Sequence, residues 1–278
     1  MKKILVPTDF SDLSEFAYGV ASKLAQVTKA DIITLSVIPG PQGAIYNANG
    51  ELTNDEGNDY SEWTKRLNSN KVKMKKWISN KPDVIDNINT IGSIDDSILQ
   101  YSESSDIDLI VMGTEGLYNK SFWSKGSHTE YITNHSDIPV LSLKCDRSNL
   151  DLKEIVLASD FLENEKLDLS LLKTIQKAYD SKLILLKVNT PKQNRSNDQI
   201  ADDMQSFADI NDLENYSMYI YNDSTVEIGI GKFSAENDID LIALGTHQEY
   251  GFSKLFSGSI SDDVVNHLFH PILTFPLK

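Results

Sequence analysis

The chain has 278 residues, with 26 Lys plus Arg set against 41 Asp plus Glu for a formal net charge of -15. That length suits two domains of about 130 to 150 residues, each able to bury its own core, and a hydrophobic content of 40% argues against wholesale disorder. The acidic balance repels a phosphate backbone, so no nucleic acid partner is expected.

The N-terminal segment MKKILVPTDF is interrupted by Asp9, Ser11 and Asp12, and no uninterrupted apolar run reaches the roughly 18 residues a membrane span needs. The single cysteine, Cys145, has no internal disulfide partner. A cytoplasmic location is the expectation.

In chain order, Ile4 to Pro7 is a short apolar run that reads as a strand. Asp12 and Glu15 have capping-box spacing, and Leu13, Phe16, Ala17, Val20, Ala21 and Leu24 then form one helical stripe. Ile32 to Ile38 predicts the next strand. The segment PGPQGAIYNANGELTNDEGNDY that follows is rich in Gly, Asn and Pro and reads as a surface excursion, with a lid over a ligand as the alternative.

Trp63 to Trp77 is a Lys-rich helix candidate and Val84 to Ile91 a strand, and Ile94, Ile98 and Tyr101 mark an apolar helix face. Asp108 to Met112 predicts a buried strand, Ser127 to His135 a helix, and Pro139 to Leu143 a final strand.

The pattern then starts again. KKILVPTDFSD from Lys2 matches KEIVLASDFLE from Lys153, SDIDLIVMGTEG from Ser105 matches NDIDLIALGTHQ from Asn237, and the segment from Gly126 matches that from Gly258. The offset falls from 151 (Lys2 to Lys153) to 132 (Gly126 to Gly258), so the first half carries about 19 extra residues after its second strand. The domains are therefore expected at 1–147 and 148–278.

The second copy predicts strands at Ile155 to Ala158, Leu183 to Val188, Met218 to Tyr221, Leu241 to Leu244 and Ile272 to Phe275, with Val226, Ile230 and Phe233 on a helix face. Near-continuous apolar strands alternating with helices imply an α/β fold of two tandem Rossmann-like domains. Each has a mainly parallel five-stranded sheet with helices on both faces.

In such sheets ligands bind at the C-terminal ends of strands. There Gly113, Thr114, Glu115 and Gly116 follow the Asp108 strand, and Gly126 and Ser127 come after nine intervening residues at a helix start. Glycines admit close approach of backbone N–H groups to an anion, and a helix N-terminus adds unpaired donors, so phosphate is the favoured ligand group. No G-x4-G-K-[ST] loop and no Ser-Gly-Gly-x-Asp-Ser loop is present. The five histidines make no metal-ligand pattern with Cys145, so no metal site is expected. His135 and His267 end equivalent helices, where an imidazole can hold late carbonyls.

The spacing Gly113-x2-Gly116-x9-Gly126-Ser127, together with VPTDFS, IDLIVMGT, NHSDIPVL and a full second copy, resembles the ATP-binding class of the universal stress protein family. The resemblance covers nearly the whole chain, twice. It implies that Asp9 meets the ribose or the adenine, that Pro7, Val37 and Met112 line the base pocket, and that Gly113, Thr114 and Gly116 approach ribose and phosphates. Gly126 and Ser127 would hold phosphate oxygens, with Lys120 and Lys125 able to lean on them. His128 departs from the small apolar residue usual in the family.

The second half keeps Asp160, Val188, Leu244, Gly245, Thr246, Gly258 and Ser259 in matching places, but Gln248 replaces Gly116 and Ala158 replaces Pro7. The resemblance thus implies a stress-response or signalling module that binds ATP or another adenine nucleotide, with or without Mg, chiefly in the first domain. It names no catalytic residue and allows at most slow hydrolysis. An unidentified protein partner is implied, with the two halves as an intramolecular pseudo-dimer joined along Pro139 to Leu143 and Ile272 to Phe275, and a homodimer of whole chains left open. The residues leave two other classes open: a nucleotide-free interaction scaffold, and a small-molecule or lipid receptor.

Overall fold

Runs such as Ile4–Leu5–Val6 and Leu109–Ile110–Val111 are apolar on both sides of the pleat, which suits a strand only where helices cover both faces of its sheet. In the computed structural model these runs are indeed fully buried. The structure describes residues 1–40, 61–114, 128–147, 149–162, 167–191, 195–246 and 270–276.

The chain divides into two compact units, Met1–Ser148 and Asn149–Lys278. The first contains β1 (Lys3–Pro7), α1 (Asp12–Thr28), β2 (Asp31–Pro39), α2 (Ser61–Ile78), β3 (Val84–Gly92), α3 (Ile94–Ser104), β4 (Leu109–Gly113), α4 (His128–His135) and β5 (Val140–Leu143). Its strands lie in the order β3-β2-β1-β4-β5, and every pair is parallel.

The second unit contains β6 (Glu154–Ala158), α5 (Ser170–Tyr179), β7 (Lys182–Asn189), α6 (Asn197–Ile210), β8 (Tyr216–Asn222), α7 (Val226–Glu236), β9 (Leu241–Thr246) and β10 (Ile272–Pro276). Its order, β8-β7-β6-β9-β10, repeats that of the first, again all parallel. The α/β architecture with parallel five-stranded sheets is the one expected from the strand pattern. Among the described residues no helix is long and apolar enough to cross a membrane.

The repeat extends to backbone that side-chain-bearing residues rarely adopt. Phe10 and Phe161 (φ 69 and 56), Lys29 and Asp180 (φ 61 and 52), and Asp106 and Asp238 (φ 52 and 50) are left-handed at matching places. The first pair turns the chain sharply after the first strand, the second ends α1 and α5, and the third precedes β4 and β9. Positive φ at such residues needs support from surrounding contacts.

Two local expectations change. The N-cap of α1 is Ser11, whose side chain accepts from the Ser14 N–H, so Asp12 is the first helical residue and does not form the cap of an Asp12/Glu15 box. Glu15 is instead drawn to Lys81 at 2.9 Å, because the buried Lys81 side chain needs a counter-charge. On α7, Ile230 and Phe233 are buried as the spacing predicts, but Val226, in the first turn, is exposed.

One core of the first unit gathers Leu5, Leu35, Ile98, Ile110, Met112 and Ile132 between the sheet, α3 and α4. On the opposite face Met74 of α2 is fully buried and its sulfur receives the Thr34 hydroxyl at 3.6 Å.

Candidate functional site

The order β3-β2-β1-β4-β5 reverses direction between β1 and β4, and a crevice opens at such a switch point outside the C-terminal strand ends. Pro7 ends β1, Val37 lies near the end of β2, and Met112 and Gly113 end β4, with Thr114 next. Pairing of Leu5 with Ile110 carries Pro7 to the level of Met112, and Pro7 is itself opposite Leu35. The fold therefore brings five of the residues singled out in the sequence to adjoining ends of three neighbouring strands, and Asp9 follows in the loop after β1.

That loop is built by its own polar residues. The Thr8 N–H donates to Leu35 O at 2.8 Å, continuing the ladder, and the Thr8 hydroxyl accepts from the Phe10 N–H at 3.0 Å, supporting the left-handed Phe10. Asp9 Oδ1 accepts from the Ser11 N–H (3.0 Å), the Ser11 hydroxyl (2.6 Å) and the Ser14 hydroxyl (2.7 Å). All three fall on one oxygen, so the carboxylate is fixed in orientation while its second oxygen accepts none of them. Partial burial pushes the Asp9 carboxyl up, but the bonds from Ser11 and Ser14 outweigh it and hold the group below its ordinary value. It is an anion at neutral pH and a ready acceptor for a hydroxyl or amino group.

Gly113 is required by packing. A Cβ there would stand 2.7 Å from both Leu13 Cβ and Leu13 O, at the first turn of α1. Its carbonyl accepts from the Thr129 hydroxyl of α4 at 3.2 Å, and the Thr114 N–H donates to Leu143 O at 2.8 Å. Close approach of α1, not only access for an anion, selects glycine at this strand end.

His128 begins α4, and its Nδ1 lies 2.7 Å from Asp95 Oδ1 in the first turn of α3. His135 Nδ1 donates to Tyr131 O at 2.8 Å, the holding of a late helix carbonyl expected for it. Gly116, Lys120, Lys125, Gly126 and Ser127 lie outside the described residues, as do most of the insertion (41–60) and, in the second half, His247, Gln248, Gly258, Ser259 and His267. Among the described residues no cluster of His, Cys, Asp and Glu could hold a metal ion.

The second unit repeats the loop. The Ser159 hydroxyl accepts from the left-handed Phe161, and among the described residues Asp160 receives the Leu162 N–H, at 3.2 Å. Leu244 is buried and Gly245 half-buried near the end of β9, where Thr246 is the last residue. Val188 is sealed into the core at 3% exposure. Gly229 of α7 packs so closely on it that an added Cβ would stand 2.5 Å from Val188 Cγ1. Val37, its counterpart, remains only half-buried. Sequence reasoning missed the serines that hold Asp9. Their signal was present in the D-x-S-x-x-S spacing of Asp9, Ser11 and Ser14.

The universal stress protein family matches residues 1–144 and again 152–276. The chain belongs to the universal stress protein family. A universal stress protein of Methanocaldococcus jannaschii, MJ0577, is 27% identical over 156 residues, covering 51% of this chain and 94% of that protein. A second from the same organism, MJ0531, is 25% identical over 150 residues, 51% of this chain and 82% of that protein. Among solved structures, a universal stress protein from Archaeoglobus fulgidus aligns with a TM-score of 0.66 at 18% identity, over 99% of this chain and 96% of that one. At that identity the likeness speaks for the fold. The single-copy relatives each span about half of this universal stress protein, in keeping with its internal repeat.

Proposed function

We propose that the first unit binds ATP or another adenine nucleotide across the C-terminal ends of β1, β2 and β4, and that occupancy alters a surface read by a protein partner. The observation that carries this reading is the oriented Asp9 carboxylate. Three bonds fix one of its oxygens, and it lies at a switch-point crevice also bounded by Val37, Met112 and Gly113. An ionised acceptor whose second oxygen takes no bond among the described residues suits ribose hydroxyls or an adenine amino group, and a half-buried valine and a methionine suit the faces of a base.

Phosphates would then run toward Thr114 and the glycines at 116 and 126 with Ser127, and magnesium would accompany them only as the nucleotide's own counter-ion. The second unit is the divergent copy, since Val188 is sealed by Gly229 and Gln248 stands where Gly116 does in the first. Residues 1–147 would thus form the binding domain and 148–278 its partner. We place the protein in the cytoplasm, in accord with its lone cysteine.

Mass spectrometry of small molecules released from protein purified without added nucleotide tests the reading directly, with an adenine nucleotide as the expected species. Calorimetric titration with ATP should show saturable binding that Gly116→Gln and Asp9→Ala each weaken. Equal affinity in both variants and the natural chain would remove the site assignment. No binding at all would leave the scaffold reading in its place.

A further inference from the structure

A cleft of about 320 Å³ extends from the proposed base pocket on the side of β2 away from β4, between the end of β2 and α2. Asp9, Phe10 and Val37 line one side, and Arg66, Asn70 and Lys73 of α2 line the other. The α2 helix is basic within an acidic protein: its 18 residues, SEWTKRLNSNKVKMKKWI, hold Lys65, Arg66, Lys71, Lys73, Lys75 and Lys76 against Glu62 alone.

The wall is rigid. Asn70 Nδ2 donates to Ser36 Oγ and to Asn89 Oδ1, each at 3.0 Å, pinning α2 to β2 and β3. Phe10 meets Trp77 edge-on at 6.2 Å, closing the end of the helix face on which Arg66, Asn70, Lys73 and Trp77 recur at helical spacing. Arg66 reaches back to Glu62 at 2.5 Å, an exposed i,i+4 pair of the kind that contributes little and exchanges readily for a better anion. Lys73 has no hydrogen-bond or ion-pair partner among the described residues.

The second unit shows how the same place looks without such a site. Phe161 packs edge-on against Phe207 of α6 at 5.1 Å, and Met204, like Met74, is fully buried. These matches align α6 with α2. At the position of Lys73 stands Asp203, already paired with Arg195. At the position of Ser36 stands Lys187, 2% exposed, which fills that side of the sheet with its own chain. At this place the first unit presents an open cleft lined by a cation that has no partner among the described residues.

Building on the nucleotide reading above, we infer that this cleft is a second anion subsite. The ligand preferred by the first unit is then an adenine nucleotide with anionic groups on both sides of the nucleoside, as in a bisphosphate or a dinucleotide. One group goes toward the glycine loop and the other toward Lys73 and Arg66, with Asp9 taking a neutral donor between them.

The test is calorimetry on the full chain with adenosine 5′-monophosphate, adenosine 3′,5′-bisphosphate and a 5′-phosphorylated adenine dinucleotide. At least one of the last two should bind about tenfold more tightly than the monophosphate, and the stronger of the pair identifies which source of the second anion fits. In the double variant Arg66→Ala, Lys73→Ala that ratio should fall to near one, with circular dichroism verifying the fold. The variant Lys65→Ala, Lys76→Ala, which removes the same charge from α2 outside the cleft, should keep the ratio. A ratio near one in the natural chain, a ratio that survives loss of Arg66 and Lys73, or one that collapses equally in the Lys65 and Lys76 variant overturns the inference while leaving the nucleotide reading intact. Absence of binding by all three nucleotides overturns the inference, and absence of ATP binding as well overturns both.

Discussion

Asp108 Oδ2 accepts the backbone N–H of Lys3 at 2.9 Å and that of Lys2 at 2.5 Å, tying the residue before β4 to the start of β1 across 105 residues of chain. In the second unit Asp240 Oδ2 does the same for Glu154 and Lys153, at 2.9 and 2.8 Å. The repeated Ile-Asp-Leu-Ile segment therefore encodes a clamp that sets the register between the two central strands, and with it the level at which Pro7 and Met112 meet.

Replacing Asp108 or Asp240 by Ala removes two charge-assisted bonds to backbone at a partly exposed site. Each variant should lose about 1–2 kcal/mol of stability. Urea denaturation of the two single variants would measure this, and an unchanged midpoint in both would show that the clamp is incidental. Because the clamp sits at the N-terminal strand ends, nucleotide affinity at temperatures well below unfolding should change little.

Gly113→Ala places a methyl group 2.7 Å from backbone and Cβ of Leu13, which α1 cannot evade without shifting. A loss of about 2–3 kcal/mol is expected. Thermal melting would measure it, and a variant as stable as the natural chain would mean that α1 yields freely.

Asp9 titrates below its ordinary value of 3.8 in the folded chain. A carboxyl depressed by folding contributes stability that is complete above its unfolded value and is lost as pH falls through the folded one. The stability gap between the natural chain and Asp9→Asn should thus be constant near neutrality and narrow as pH drops below about 4. Urea midpoints taken from pH 7 down to pH 3 would reveal it. A gap that does not vary with pH would mean that Ser11 and Ser14 serve an amide as well as a carboxylate.

Lys187 is 2% exposed in β7, and its burial pushes the amine below its ordinary value, partly opposed by attraction to Asp160. A lysine depressed by folding costs stability while pH lies below its folded value, and the penalty fades as pH rises. Lys187→Met should therefore raise the melting temperature at neutral pH by about 2–4 °C, with a smaller gain at pH 10. A lower melting temperature would show that the Lys187 cation is needed where it lies.

Much of the fold was legible because apolar runs and helical stripes are local patterns. Ile4 to Pro7 and Asp108 to Met112 could be strands only in a sheet covered on both faces, and the second copy supported each assignment. The end-of-strand position of Asp9 and Gly113 was legible for the same reason. The partners of those residues were not. Ser11 and Ser14 converge on one Asp9 oxygen only because Phe10 turns left-handed, and Gly113 is constrained by Leu13, 100 residues away in the chain. The departure of α1 from its expected cap has the same origin: Glu15 is claimed by Lys81 from beyond α2.

By itself the sequence determined the repeat, the alternation of strand and helix, and the strand ends at which Asp9, Val37, Met112 and Gly113 fall. Those depend on hydrophobic periodicity and spacing, which each segment carries alone. Only the tertiary structure decided that Lys73 faces an open cleft beside Asp9 whereas its counterpart Asp203 is paired with Arg195, and that Val188 is sealed where Val37 is not. Such differences depend on which side chains from distant elements meet, and that is set by packing between a sheet and its helices.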